Sequence, residues 1–173
     1  MKQEISLKLE HYDDIFSDFD MRDYSKRALS VDFVDEARRA SLDKNGSGME
    51  LSLCVPEGSR SAEHEATIKD RLAGHFEKHH GILRKDKRRT LYQGFLMIAL
   101  GVIAMVLATF ILSGSAEGDL LKSFFVVFLE PAAWFLLWEG SDLILFSSRE
   151  INPELNFYKK MLASRENITF KSY

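Results

Sequence analysis

Leu91-Tyr-Gln-Gly-Phe-Leu-Met-Ile-Ala-Leu-Gly-Val-Ile-Ala-Met-Val-Leu-Ala-Thr-Phe-Ile-Leu112 contains no charged side chain. A helix of this length, rising about 1.5 Å per residue, matches a hydrocarbon core of about 30 Å. The alternative is a core helix of a soluble protein. Such a helix would be apolar on every face, and a chain this short could not surround it. The segment begins at position 91, too far into the chain for a cleaved leader peptide.

Working outward, Ser113 to Asp119 holds two glycines and reads as an external turn, with Asp119 placed to cap the next helix. Leu120 to Phe146 is again long enough to cross, so two antiparallel spans are expected. Within Ser123–Phe146 the charged residues are Glu130, Glu139 and Asp142, all acidic. The averages over 173 residues, 46% hydrophobic, 28% charged and net charge -3, conceal this division. Asp+Glu (26) exceed Lys+Arg (23), which argues against a nucleic-acid binder. Basic residues flank the spans: Arg84, Lys85, Lys87, Arg88 and Arg89 before the first, Arg149, Lys159, Lys160 and Arg165 after the second. Lys122 is the basic residue near the connecting turn. The positive-inside rule then puts both termini in the cytoplasm of a plasma or inner-membrane protein.

The water-facing parts read as a small α/β domain made from both ends. Ile5–Leu9 and Met49–Val55 alternate apolar and polar side chains, the period of half-buried strands. Ser30 caps a helix over Val31–Leu42 that ends near Asn45-Gly-Ser-Gly48. Strand, helix, strand implies parallel pairing. A second helix opens at Ser59 or Ser61, with Ile68, Leu72, Phe76 and Leu83 as its stripe. No Pro lies between Pro56 and Pro131, so this helix is expected to continue into the first span. Asn152-Pro153 starts a last helix, Asn152 capping it, that runs to about Ser164. The β-prone Asn167–Tyr173 completes the sheet. The expected organisation is therefore 1–88 cytoplasmic α/β, 89–113 first transmembrane helix, 114–119 turn, 120–147 second transmembrane helix, and 148–173 cytoplasmic helix and strand.

Glu130, Glu139 and Asp142 are the sharpest chemical feature. An ionised side chain at a bilayer centre costs about 2.5–3.5 kcal/mol, so such groups face protein or water. Glu139 and Asp142, three apart, share a helix face. Glu130 stands nine residues before Glu139, about half a turn away. The acids suit a pore around an oligomer axis, assembly through hydrogen bonds to groups such as Tyr92, Gln93 or Thr109, or, for Asp142 and Glu139, placement at the cytoplasmic headgroups beside Arg149 or Arg89. Gly94, Gly101, Ala104 and Ala108 form a small-residue seam for helix packing, within the chain or between copies.

His75 and His79 have the i, i+4 spacing of a metal pair, yet they fall within the apolar stripe, where packing accounts for them. No metal or other cofactor is expected. Arg84, Lys85, Lys87, Arg88 and Arg89 suit anionic lipid headgroups or serve only as a topology signal. Asp13 to Ser30 is rich in Asp but fails the calcium-loop pattern at its third ligand and at its glycine. It reads as a connection with packed aromatics and solvated acids. The single cysteine, Cys54, has no partner for a disulfide or a zinc quartet. No phosphate loop or nucleophile elbow occurs, so an enzyme is not expected.

The expected function is a homo-oligomeric, membrane-anchored assembly or interaction module. The alternatives are a small oligomeric cation-preferring channel using the acids, or a two-span effector whose cytoplasmic domain senses an unidentified ligand or protein. The bilayer and further copies of the chain are the expected partners.

Overall fold

The computed structural model describes residues 3–42, 49–113, 120–163 and 167–173. The expected turn at 114–119 with Asp119, and the helix stop at 45–48, lie outside the described residues. The chain forms two compact units, one from residues 1–82 with 154–173, the other from 83–153.

In the first unit, β1 (Gln3–Lys8), β2 (Met49–Val55) and β3 (Ile168–Ser172) make a three-stranded sheet in the order β1-β2-β3. All pairings are parallel, with Leu7 opposite Leu53 and Leu53 opposite Phe170. The alternation read from the sequence sets the two faces. Ile5, Leu7, Leu9, Met49, Leu51, Leu53, Val55, Ile168 and Phe170 are buried. α1 (Val31–Leu42) buries Phe33 and Ala37. The early part of α2 (Ala62–Ser113) buries Ile68, Leu72 and Phe76. α5 (Asn152–Ala163) buries Phe157, Tyr158 and Met161. The rule of right-handed crossovers between parallel strands places α1, the start of α2 and α5 on the apolar side of the sheet. The other side of the sheet is polar. There Ser52, fully buried, bonds Thr169 at 3.1 Å, and Lys171 pairs with Glu4. Each fully buried Leu, Ile or Phe contributes about 1.5–3 kcal/mol. The core is small, and β3, supplied from the far end of the chain, adds Ile168 and Phe170 to it.

The second unit contains the later part of α2, α3 (Leu120–Asp142), a π-helical turn (Leu143–Ser147) and α4 (Ser148–Glu150). α2 is a continuous 52-residue helix. Two helical stretches, in α2 and over Leu120–Glu150, are long and apolar enough to cross a membrane. Pro131 lies inside α3 without ending it. In the π turn the Ser148 N–H donates to Leu143 O, five residues back. Helical conformation therefore persists nearly to Asn152. Asn152 stands as the first residue of α5 rather than as a cap outside it, and its Oδ1 accepts a hydrogen bond from Lys87 Nζ at 2.5 Å.

Candidate functional site

The small residues of the later part of α2 pack within the chain. Gly94, Gly101 and Ala108 of α2 are buried, and so are Gly140, Ala133 and Val126 of α3. Both sets repeat every seven residues and run in opposite directions. A β-carbon at Gly94 would lie 2.7 Å from Ile144 Cγ1 and 2.8 Å from the Gly140 carbonyl oxygen. One at Gly101 would lie 2.9 Å from Leu137 Cγ and 3.1 Å from the Ala133 carbonyl oxygen. Backbones this close gain dispersion contacts that lipid tails would not replace. Ala104 is only half-buried, off the seam's centre. The α3 half of the seam was readable from its own heptad spacing, yet it becomes meaningful only beside Gly94 and Gly101.

The seam leaves the acids outside it. Glu130 is exposed beside the seam, one heptad before Leu137, while Glu139 and Asp142 are half-buried further round α3. Among the described residues, no hydrogen bond or ion pair reaches Glu130, Glu139 or Asp142. Thr109 Oγ1 donates instead to its own helix, to Met105 O at 2.9 Å. Trp138, Ser141, Asp142, Leu145 and Phe146 line a groove of about 110 Å³. The π turn begins immediately after Asp142, and such turns often mark functional sites because they re-aim side chains. Trp134 and Trp138 are exposed, as is most of the apolar surface of both helices.

Of the basic cluster, Arg84, Lys85, Arg88 and Arg89 are exposed. Lys87 is half-buried through its bond to Asn152. Four of the five basic side chains thus lie at the surface, while the fifth ties α2 to the start of α5.

His75 and His79 stack on one another, with ring centroids 4.1 Å apart, and His79 stacks on Tyr158 at 5.4 Å. Parallel rings do not converge their nitrogens on one point. No metal-binding group of three or more His, Cys, Asp or Glu occurs among the described residues. His75 Nε2 is buried without a hydrogen-bond partner. Burial, then the charges of His79, Arg71 and Lys78, lower the His75 pKa to about 4. Burial also lowers that of His79. The pair is a neutral packing element between α2 and α5.

The Asp-rich segment differs from its expected form. Ile15, Phe16 and, partly, Tyr24 pack inward, with Phe16 and Tyr24 stacked at 5.0 Å. Phe19 and Met21, however, are 99% and 92% exposed. Asp20 is the cause. Its carboxylate accepts from the Ala28 N–H at 2.7 Å and from Arg22 Nε at 2.8 Å, which turns its apolar neighbours outward. Arg22, then the Ala28 N–H, hold the Asp20 carboxyl far below its ordinary range. Arg27 pairs with Asp13, and Arg71 Nε donates to Arg27 O at 2.9 Å, tying the segment to α2. A mixed-charge groove of about 360 Å³ lies here, lined by Arg22, Tyr24, Arg27, Glu63 and His64 among others. Its arginines already have carboxylate partners in Asp20 and Asp13.

Comparison with family models, with curated proteins and with solved structures gave no match.

Proposed function

We propose that this chain is a two-pass membrane protein of a plasma or inner membrane. Its α/β unit is cytoplasmic, and its function is to assemble into homo-oligomers as a membrane-anchored interaction module. One observation carries this reading. Glu130 is exposed on the lone helical hairpin, within a stretch long enough to cross a bilayer. An ionised carboxylate left in hydrocarbon costs about 2.5–3.5 kcal/mol, and a neighbouring copy or water around an oligomer axis removes that cost. The concentration of Lys and Arg before Leu91 and after Phe146 supports the orientation.

A second reading shares the same observation. Glu130 copies facing a wet axis would make a small cation-preferring channel, with Glu139 and Asp142 at its cytoplasmic end. Two helices enclose no path by themselves, so this too requires several copies. The test is co-isolation of two differently tagged copies from one membrane, with cation flux measured on the same material in liposomes. Co-isolation without flux supports the assembly module, and co-isolation with flux the channel. Failure to co-isolate refutes both.

A further inference from the structure

We infer that β1 of one copy pairs antiparallel with β1 of a second copy about Ser6, joining two three-stranded sheets into one. The inference rests on the homo-oligomeric reading and names the surface that would carry it.

β1 is an edge strand in the order β1-β2-β3. In a parallel ladder, alternate residues turn their N–H and C=O toward the neighbouring strand. Leu9 N–H donates to Cys54 O at 2.8 Å, which fixes the alternation. Ile5, Leu7 and Leu9 therefore address β2, and Glu4, Ser6 and Lys8 turn their backbone groups toward the free edge. A free edge is a template for another strand unless something blocks it. β1 contains no proline. A groove of about 340 Å³ opens beside it, lined by Ser6, Leu7 and Lys8 on the strand and by Phe33 and Glu36 on α1.

Charge selects the occupant. Read backwards, Glu4-Ile5-Ser6-Leu7-Lys8 complements itself. With Ser6 opposite Ser6 of a second copy, each Glu4, whose Oε1 also pairs with Lys171 of its own sheet, would face the other copy's Lys8, and each Ile5 the other's Leu7. All three polar side chains are exposed on the same sheet face. Opposite charges directly across a strand pair stabilise it, and like charges oppose it. The other edge, β3, lacks this property: about Phe170, Lys171 would face Thr169. The pairing is isologous, the commonest arrangement of a soluble dimer interface.

The experiment uses the full chain with Cys54→Ser and Ser6→Cys, in lipid nanodiscs under mild oxidation. Directly opposed residues of a hydrogen-bonded antiparallel pair have Cα atoms about 5.5 Å apart, within disulfide reach. A disulfide joining position 6 of one copy to position 6 of the other is expected. Glu4→Lys alone and Lys8→Glu alone each set like charges opposite one another, and each should lower the cross-linked fraction by roughly three-fold or more. Mixing the two variants restores both opposite-charge pairs, so cross-linking should return between unlike copies. Recovery in the mixture also shows that both variants are folded. Several copies per disc without a cross-link at position 6 would overturn this interface and leave self-association standing. A single copy per disc would overturn both.

Discussion

Gly94 and Gly140 face each other so closely that neither position accommodates a side chain. A β-carbon on Gly140 would lie 2.7 Å from the carbonyl oxygen of Gly94. Gly140→Val should therefore separate the helices and lower the stability of the detergent-solubilised hairpin by about 1–3 kcal/mol. Gly81, also in α2, has nothing within 4 Å of an added β-carbon. Gly81→Ala should raise stability by roughly 0.5–1 kcal/mol through backbone entropy alone. Thermal unfolding of both variants checks the contrast, and equal effects would mean that the seam does not hold the hairpin.

The proposed orientation makes Ser115 external and Ser172 cytoplasmic. Single cysteines at these positions, with Cys54→Ser, separate the two possibilities. In intact cells an impermeant thiol reagent should label position 115 and leave position 172 untouched until the cells are opened. The reverse pattern would invert the topology.

The acids separate by substitution chemistry. Glu130→Gln keeps shape and hydrogen-bonding capacity while removing charge; Glu130→Ala removes all three. Assembly through Glu130 predicts weakened oligomers for Ala and nearly normal ones for Gln. A wet axis predicts intact oligomers for Gln with altered cation selectivity. Glu139→Gln and Asp142→Asn should resemble each other, because both lie round the helix from Glu130. Subunit count and flux on the same samples decide.

Acid should loosen the first unit through His75. Its pKa is about 4 in the fold, against an ordinary 6.5. The unfolded chain thus binds the proton more readily, and stability falls as pH drops from 6.5 toward 4. The loss is on the order of 2 kcal/mol, allowing for partial solvent access to the ring. His79, Arg71 and Lys78 on α2 add to the penalty, while Glu154 on α5 opposes it at His79. Amide exchange at Leu72 and Phe76 should accelerate over this range, and His75→Phe should flatten the dependence. An unchanged profile in that variant would exclude His75 as its source.

Removing residues 167–173 takes away β3 and with it two buried side chains, Ile168 and Phe170. Two strands bury too little to be stable alone. Faster amide exchange at Leu51 and Leu53 is expected, because β3 pairs directly with β2. Full retention of their protection would mean that the sheet does not need its third strand.

The strands were legible because Ile5, Leu7 and Leu9 alternate with charged and hydroxyl side chains, a local pattern. The length of α2 was legible from a run without proline. Pro131 lies inside α3, which continues through it. The π turn was not legible. Gly94 packs against Ile144 and Gly140, residues far away in sequence, and no local pattern near Leu143 announces the turn. The same turn keeps the backbone helical almost to Asn152, displacing that residue from its expected role as a cap. Around Asp20, composition suggested solvated acids and packed aromatics. One carboxylate bonding the Ala28 N–H, eight residues on, puts Phe19 and Met21 outside instead. The candidate site was legible as a set of acids in an apolar stretch. What surrounds them was not, because it depends on how α3 packs against Gly94 and Gly101 of α2, residues distant in sequence.

Self-association in a bilayer is most directly read by native mass spectrometry of the full chain released from lipid nanodiscs, counting copies as the lipid ratio is varied. Two or more copies per complex, persisting as the protein is diluted into lipid, are the expected result. A single copy at every ratio would contradict the assembly role and the channel alike.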